Sequence, residues 1–109
     1  MSGTSADGID AVVAEISDGT QGLRASLIAH VHQNFSPAFR QRILAACLHG
    51  TVAEICELNF LLGEHFARAA LAAVNRARLK PAQITAIGSH GQTVHHLPNA
   101  RTPSTLQIG

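Results

Sequence analysis

An α/β fold is what the sequence predicts, and three observations carry that expectation. Two runs with strand-like patterning flank an Asp-Gly turn, two stretches with helical apolar spacing each open on a hydroxyl residue, and a short β-branched run follows the second stretch. The order is therefore an antiparallel hairpin, two helices and a returning parallel strand.

Residues 1–8 are small, polar and glycine-bearing, and they read as a loop that feeds a strand over residues 9–16, where Val12, Val13 and Ile16 favour extended backbone. Asp18-Gly19, with Gly22 behind it, is a turn cluster. Beyond it Leu23, Ala25, Leu27, Ala29 and Val31 alternate with Arg24, Ser26, His30 and His32, and only Ile28 breaks the period of two. A short Asp-Gly loop between two such strands predicts a hairpin whose second strand has one wet face, holding His30 and His32.

Ser36-Pro37 is a helix start, with Ser36 as cap and proline at the first helical position. Phe39, Ile43, Leu44 and Cys47 continue it to about Leu48, and His49-Gly50 ends it. Thr51-Val52-Ala53-Glu54 then matches a capping box, in which Thr51 accepts from the residue 54 amide and Glu54 reaches back to the Thr51 amide. The second helix has an apolar face of Ile55, Leu58, Leu62, Phe66, Ala69 and Ala73. Arg68, Arg76, Arg78 and Lys80 lie toward its C-terminal end, where the helix dipole favours positive charge, and Pro81 closes it. Residues 84–88 follow as a short strand, and the long helix before them implies a crossover to a parallel neighbour. After a loop with Pro98 and Pro103, residues 104–108 open another strand, and the halt at Gly109 has the look of a truncation.

Composition narrows the function. Of 109 residues 46% are hydrophobic and 14% charged, which suits one globular domain. Eight Lys and Arg against seven Asp and Glu give a net charge of +1, too little to attract nucleic acid or an anionic membrane. With no Trp, no Tyr and 4 Phe there are few rings for stacking, so a ligand site must be polar and largely backbone-built. Cys47 and Cys56 read as small buried apolar groups in a reducing compartment. No run approaches the ~18 apolar residues of a membrane span and no signal peptide opens the chain, so a cytoplasmic location is expected.

Two segments could carry chemistry. The loop from Gly3 to Gly8 joins two glycines, two hydroxyls and a carboxylate ahead of a strand. Glycines admit an anion close to the backbone, hydroxyls and amides donate to phosphate oxygens, and an Asp beside them can hold magnesium. Such a loop is a polyphosphate cradle or, more simply, a turn of small residues. It is not a P-loop, because it lacks the lysine and leads into a strand. The second segment, Ser89-His90-Gly91-Gln92-Thr93, follows the expected parallel strand, where open α/β sheets bind ligands. It suits a polar substrate with many hydroxyls, or is a plain polar loop; no acid is near enough in sequence to make His90 a general base. Zinc spacing is absent among the seven histidines, although His90, His95 and His96 cluster; His30, His32, His49 and His65 read as a solvated strand face, a helix end and a helix surface. The basic residues from Arg68 to Lys80 read as a solvated, dipole-matched helix end rather than an anion site.

Residues 1–10, Met-Ser-Gly-Thr-Ser-Ala-Asp-Gly-Ile-Asp, resemble the opening of the anhydro-N-acetylmuramic acid kinases. Gly-Ser-His-Gly-Gln-Thr (88–93) and Ser-Thr-Leu-Gln-Ile-Gly (104–109) look like two later signatures of that family, in the same order. The family's common form has Leu where this chain has Ala6, between the hydroxyl and carboxylate positions, and phosphate binding is not expected to change with it. The resemblance implies the first part of a ribonuclease-H-like lobe of the sugar kinase, actin and heat-shock ATPase superfamily. It implies that ATP and water cleave 1,6-anhydro-N-acetylmuramic acid to N-acetylmuramic acid 6-phosphate and ADP, in the recycling of bacterial cell-wall sugar. By the same resemblance Gly3, Thr4, Ser5, Ala6, Asp7, Gly8, Ile9 and Asp10 form the ATP phosphate loop, with Asp7 near Mg2+, and His90, Gln92 and Thr93 lie on the sugar side. The general-base aspartate, the second phosphate loop and the adenine contacts are expected C-terminal to Gly109, so the chain alone is expected to be inactive. The family motif usually follows a short strand, so Met1 need not be the native start. A non-catalytic phosphate-binding fragment is the competing expectation, and a small helical interaction domain is a weaker one. Unpaired strand edges predict that the isolated chain associates, as a homodimer or an aggregate.

Overall fold

A computed structural model describes every residue except Met1, Gly3, Thr4 and Gln21. Strand β1 (Gly8–Gly19) pairs antiparallel with β2 (Gly22–Asn34) from Gly8↔Asn34 to Gly19↔Gly22. The turn thus lies one step later than the sequence predicts: Asp18 and Gly19 are still in the ladder, and Gly22, at φ +114, takes the left-handed backbone that glycine tolerates.

The register has one break, between Val13↔Ala29 and Ala14↔Leu27, which leaves Ile28 as the extra residue of a β-bulge. That residue is the one that interrupts the alternation, and the bulge divides the run that looked like a single apolar face. Side chains directly opposite each other share a face. Ile9, Ala11, Val13 and Ala29 therefore turn inward, whereas Ala14, Ile16, Ala25 and Leu27 share the outward face with Asp10, Val12, His30 and His32. Ile16 and Leu27 are each 67% exposed. The wet face is present as expected, but it is wet only near the strand ends that meet the N-terminal loop.

Helix α1 (Pro37–His49) begins as predicted, with Ser36 Oγ accepting from the Phe39 amide at 3.2 Å and proline in the first turn. Helix α2 (Val52–Arg76) begins on Thr51, whose hydroxyl accepts from the Glu54 amide at 3.2 Å. Only this half of the expected capping box forms. Glu54 instead accepts from Arg42 Nε at 2.7 Å, while Arg42 also reaches Glu57, because a charge-assisted bond to a guanidinium outcompetes one to a neutral amide. The helix stops at Arg76, short of the expected Lys80: Arg78 enters left-handed backbone at φ +58, and Pro81 opens a 3-10 turn (Pro81–Gln83).

The returning parallel strand is not formed. Residues 84–91 are irregular, and the two strands that follow, β3 (Gln92–Leu97) and β4 (Ser104–Ile108), pair antiparallel in a separate two-stranded sheet. A five-residue segment gains strand geometry only from a ladder partner, and β1 pairs with β2 alone, so Ile87 stays 75% exposed. Gln92 and Thr93, placed in a loop by the sequence reading, belong to β3.

The core lies where the inner hairpin face, both helices and the second sheet meet. Ile9, Phe35, Ile43, Leu58, Leu62 and Ala69 fill it, with Val94, the bulged residue of β3, and Ile108 of β4. Leu58, Leu62, Ala69 and Ala73 are the apolar face expected of α2. Cys56 is exposed, contrary to the expectation, because it lies two positions from Leu58 and so on the other side of the helix; Cys47 is half-buried, and burial pushes its thiol pKa up. Among the described residues no helix is long and apolar enough to cross a membrane.

Candidate functional site

The N-terminal loop is fastened from three sides. The Phe35 amide donates to the Asp7 carbonyl at 3.0 Å, and Arg40 Nε of α1 donates to the Ser5 carbonyl at 3.2 Å. Ala6 anchors it: 1% exposed, at φ +47, it packs into the core with Ile9 and Phe35. Gly8 follows against β2, where a Cβ would sit 2.4 Å from the Gln33 carbonyl oxygen, so the strand can start there only without a side chain. This clamping leaves Ser5 and Asp7 facing solvent. Ser5 Oγ donates to Asp7 Oδ1 at 2.9 Å, and that bond is the main cause holding the Asp7 carboxyl below its ordinary range.

Asp10 stands on the outward face, two residues into β1, and one of its oxygens meets His30 Nε2 at 2.8 Å and His32 Nδ1 at 3.0 Å. The other nitrogen of His32 lies 3.0 Å from Asn34 Oδ1. Both nitrogens of His32 thus face oxygen acceptors, an arrangement only the imidazolium satisfies fully, and its pKa is raised, by Asp10 first and Asn34 second. Asp10 is lowered in turn, by His30 and then His32. The hairpin register makes this cluster, since Asp10↔His32 and Val12↔His30 are direct partners.

The second segment meets the first. Ser2 Oγ, 3% exposed, lies 2.8 Å from the Gly8 carbonyl oxygen and 2.5 Å from Gln92 Oε1, and its single proton serves both. Gln92 is 1% exposed, with Nε2 donating to the Thr93 carbonyl at 3.1 Å. Thr93 Oγ1 accepts from Gln107 Nε2 at 3.1 Å, and Gln92 is the ladder partner of Ile108. Three stretches far apart in sequence are therefore joined side by side, through Ser2 and Gly8, through Gln92 and Thr93, and through Gln107 and Ile108. His90 is exposed, beside Gly91, whose amide donates to Ser89 Oγ at 3.2 Å.

Of the sequence-predicted residues, Ser5, Asp7 and Asp10 present side chains to solvent, Ala6, Gly8 and Ile9 support them from below, and Gly3 and Thr4 lie outside the described residues. Gln92 and Thr93 are placed beside this loop, but Gln92 is buried within the structure and does not face outward. Sequence reasoning missed Ser2, Arg40 and Gln107 as ties, and missed His30 and His32 as partners of Asp10, which the hairpin register could have exposed. It also put His65 on a helix surface. The ring is half-buried, stacked on Phe39 at 4.6 Å and edge-on to Phe35 at 5.5 Å, and burial lowers its pKa.

Among the described residues no group of three or more His, Cys, Asp or Glu is arranged to hold a metal ion. Asp7 nonetheless fits the manner in which magnesium is held beside phosphates, through one exposed, ionised carboxylate with water and phosphate oxygens completing the shell. An open concavity of about 240 Å³ lies elsewhere, between the end of α1 and the second sheet, lined by Cys47, His49, Ile55, Val94, His95 and Leu106. It includes none of the loop residues, and its apolar lining does not suit a polyphosphate.

The family model for anhydro-N-acetylmuramic acid kinase matches residues 1–109, the whole chain. The chain belongs to the anhydro-N-acetylmuramic acid kinase family. Relatives bearing that name agree throughout: one from Caldanaerobacter subterraneus is 42% identical over 117 residues, covering 100% of this chain and 30% of its own length. One from Aliivibrio fischeri is 40% identical, covering 100% and 29%, and one from Clostridioides difficile is 40% identical, covering 100% and 30%. The chain thus spans about 30% of the length of the curated kinases it matches. Its three joined stretches are the ones whose wording resembles the kinase signatures.

Proposed function

We propose that this chain forms part of an ATP-dependent kinase acting on 1,6-anhydro-N-acetylmuramic acid in the recycling of cell-wall sugar in the cytoplasm. The observation that carries the reading is the contact of Ser2 with Gln92, which brings the phosphate-loop candidate and the sugar-side candidate together in a chain of this family. The lobe would be the actin-like one, and the α/β arrangement of hairpin and helices supports that.

In this reading residues 3–10 line the phosphates of ATP. Ser5 and backbone amides donate to phosphate oxygens, and Asp7, kept ionised by Ser5, holds Mg2+. The ion, when bound, screens the negative charge that builds on the phosphates during transfer. His90, Gln92 and Thr93 lie on the sugar side. Substrate and product fix the bonds: C1–O6 of the anhydro ring breaks, the oxygen of water ends on C1, and the γ-phosphoryl group ends on O6. A base must take the proton of that water, and by the family's order it lies beyond Gly109. Transfer needs phosphates, metal and nucleophile gripped together, and these 109 residues supply one grip, so the isolated chain is proposed to be inactive.

A coupled ADP-release assay with the anhydro sugar, ATP and Mg2+ tests this on a polypeptide of family length that carries the chain. ADP and N-acetylmuramic acid 6-phosphate are expected in equal amounts. No product, under conditions where one of the relatives turns over, would remove the assignment.

A further inference from the structure

Gln92 sits in the segment placed on the sugar side, yet its side chain has almost no surface to offer a sugar. It is 1% exposed, Oε1 faces Ser2 Oγ and Nε2 donates to the Thr93 carbonyl. Ser2 is buried as well, and the same hydroxyl lies against the carbonyl of Gly8, the residue that ends the phosphate loop and begins β1. The carbonyl of Gly8, the hydroxyl of Ser2 and the amide of Gln92 form one continuous polar line from the start of β1 to the start of β3. At its far end Gln92 adjoins Gly91 and the exposed His90, and through Thr93 it connects to Gln107 of β4.

We infer that Gln92 and Ser2 form a latch that sets the spacing between the phosphate loop and the sugar-side loop, so that Gln92 is a positioning residue and not a sugar ligand. The inference rests on the proposed kinase reading and refines it. Phosphoryl transfer depends on a fixed distance between donor phosphate and acceptor oxygen, and a small displacement of either loop costs rate even when both substrates remain bound. Buried polar pairs suit this purpose, because breaking one leaves a desolvated partner, and the geometry is held more tightly than any exposed pair could hold it. A latch acts on both loops at once. A sugar ligand acts on the sugar alone.

The experiment is a double-mutant cycle in the family-length protein, with Ser2→Ala, Gln92→Ala and the pair, reading kcat and the KM of each substrate. The latch predicts that either single change lowers kcat by roughly tenfold and that the pair is no worse than the poorer single, since each removes the same connection. If Gln92→Ala raises only the KM for the sugar while Ser2→Ala changes nothing, or if the two effects multiply, the latch is refuted. Ser2→Cys, nearly the same shape with a weaker donor, guards against loss of folding and is expected to fall between wild type and Ser2→Ala. Amide exchange supplies a readout independent of the reaction: Ser2→Ala should speed exchange at residues 91–93, ninety positions away in sequence. Unchanged exchange there refutes the latch whether or not the wild type phosphorylates the sugar, whereas a wild type inert toward the sugar, with faster exchange in the variant, discards the kinase reading and keeps the latch.

Discussion

Gly91 and Ile108 touch through their backbones: a Cβ on Gly91 would lie 2.6 Å from the carbonyl oxygen of Ile108. Gly91 also holds φ +75, a backbone state that side chains disfavour. The segment ahead of β3 can run this close to the last strand because position 91 has no side chain.

Gly91→Ala is therefore expected to destabilise the protein by about 2–3 kcal/mol, combining left-handed strain with displacement of β4. Gly88→Ala, where a Cβ would meet nothing within 4 Å, is the matched control and should change stability by less than about 0.5 kcal/mol. Urea denaturation midpoints of the two variants check this. Equal midpoints would contradict it.

The start of α2 separates a capping bond from an ion pair. Thr51→Ala removes the acceptor for the Glu54 amide and is expected to cost about 1 kcal/mol at any ionic strength. Glu54→Gln weakens the bond to Arg42, and its effect, smaller than that of the cap, should shrink further in 1 M salt. Denaturation at low and high salt distinguishes them; a salt-sensitive Thr51 effect would count against this account.

The Asp10 cluster makes stability depend on pH with a definite sign. The carboxyl of Asp10 is lowered, so what it contributes is present above its ordinary 3.8 and is lost as pH falls through the folded value. His32 is raised, so its contribution is complete below its ordinary 6.5 and is lost as pH rises through the folded value. Both act between about pH 4 and 6.5. His65, lowered by burial, works the other way and costs stability as pH drops below 6.5. Comparison with Asp10→Asn isolates the cluster: the variant should lag most in that window and least near pH 8. A constant difference across pH would rule the pairing out.

Asp7 is the residue through which magnesium should enter. In the family-length protein, Asp7→Asn is expected to raise the Mg2+ concentration for half-maximal ADP release by at least ~tenfold, and Ser5→Ala to raise it by less. Titration of activity with Mg2+ at fixed ATP reads this directly. An unchanged midpoint in Asp7→Asn would place the metal on other residues.

Where bonding is local, the sequence was readable. Ser36, Pro37 and Thr51 announce the helix starts because their partners lie three residues away, and Ile28 marks the bulge because a bulge must interrupt a period of two. Residues 84–88 misled because β-branched composition makes a strand only when a ladder partner is engaged, and β1 and β2 pair only with each other. The phosphate-loop candidate was visible in its glycines and hydroxyls. Its connection to Gln92 was not, since nothing in either segment names a partner ninety positions distant, and the packing of His65 against Phe39 and Phe35 was hidden for the same reason.

The bulge at Ile28 has a thermal consequence for the isolated chain. It turns Leu27 and Leu23 of β2 toward water, on the face they share with the exposed Ile16 of β1, in the half of the hairpin beyond the ionic cluster. Attraction between such patches is entropic near room temperature and fades on cooling. Samples held on ice should stay dispersed and gather on warming, and light scattering during a slow temperature ramp would follow the change, reversing when the solution is chilled again.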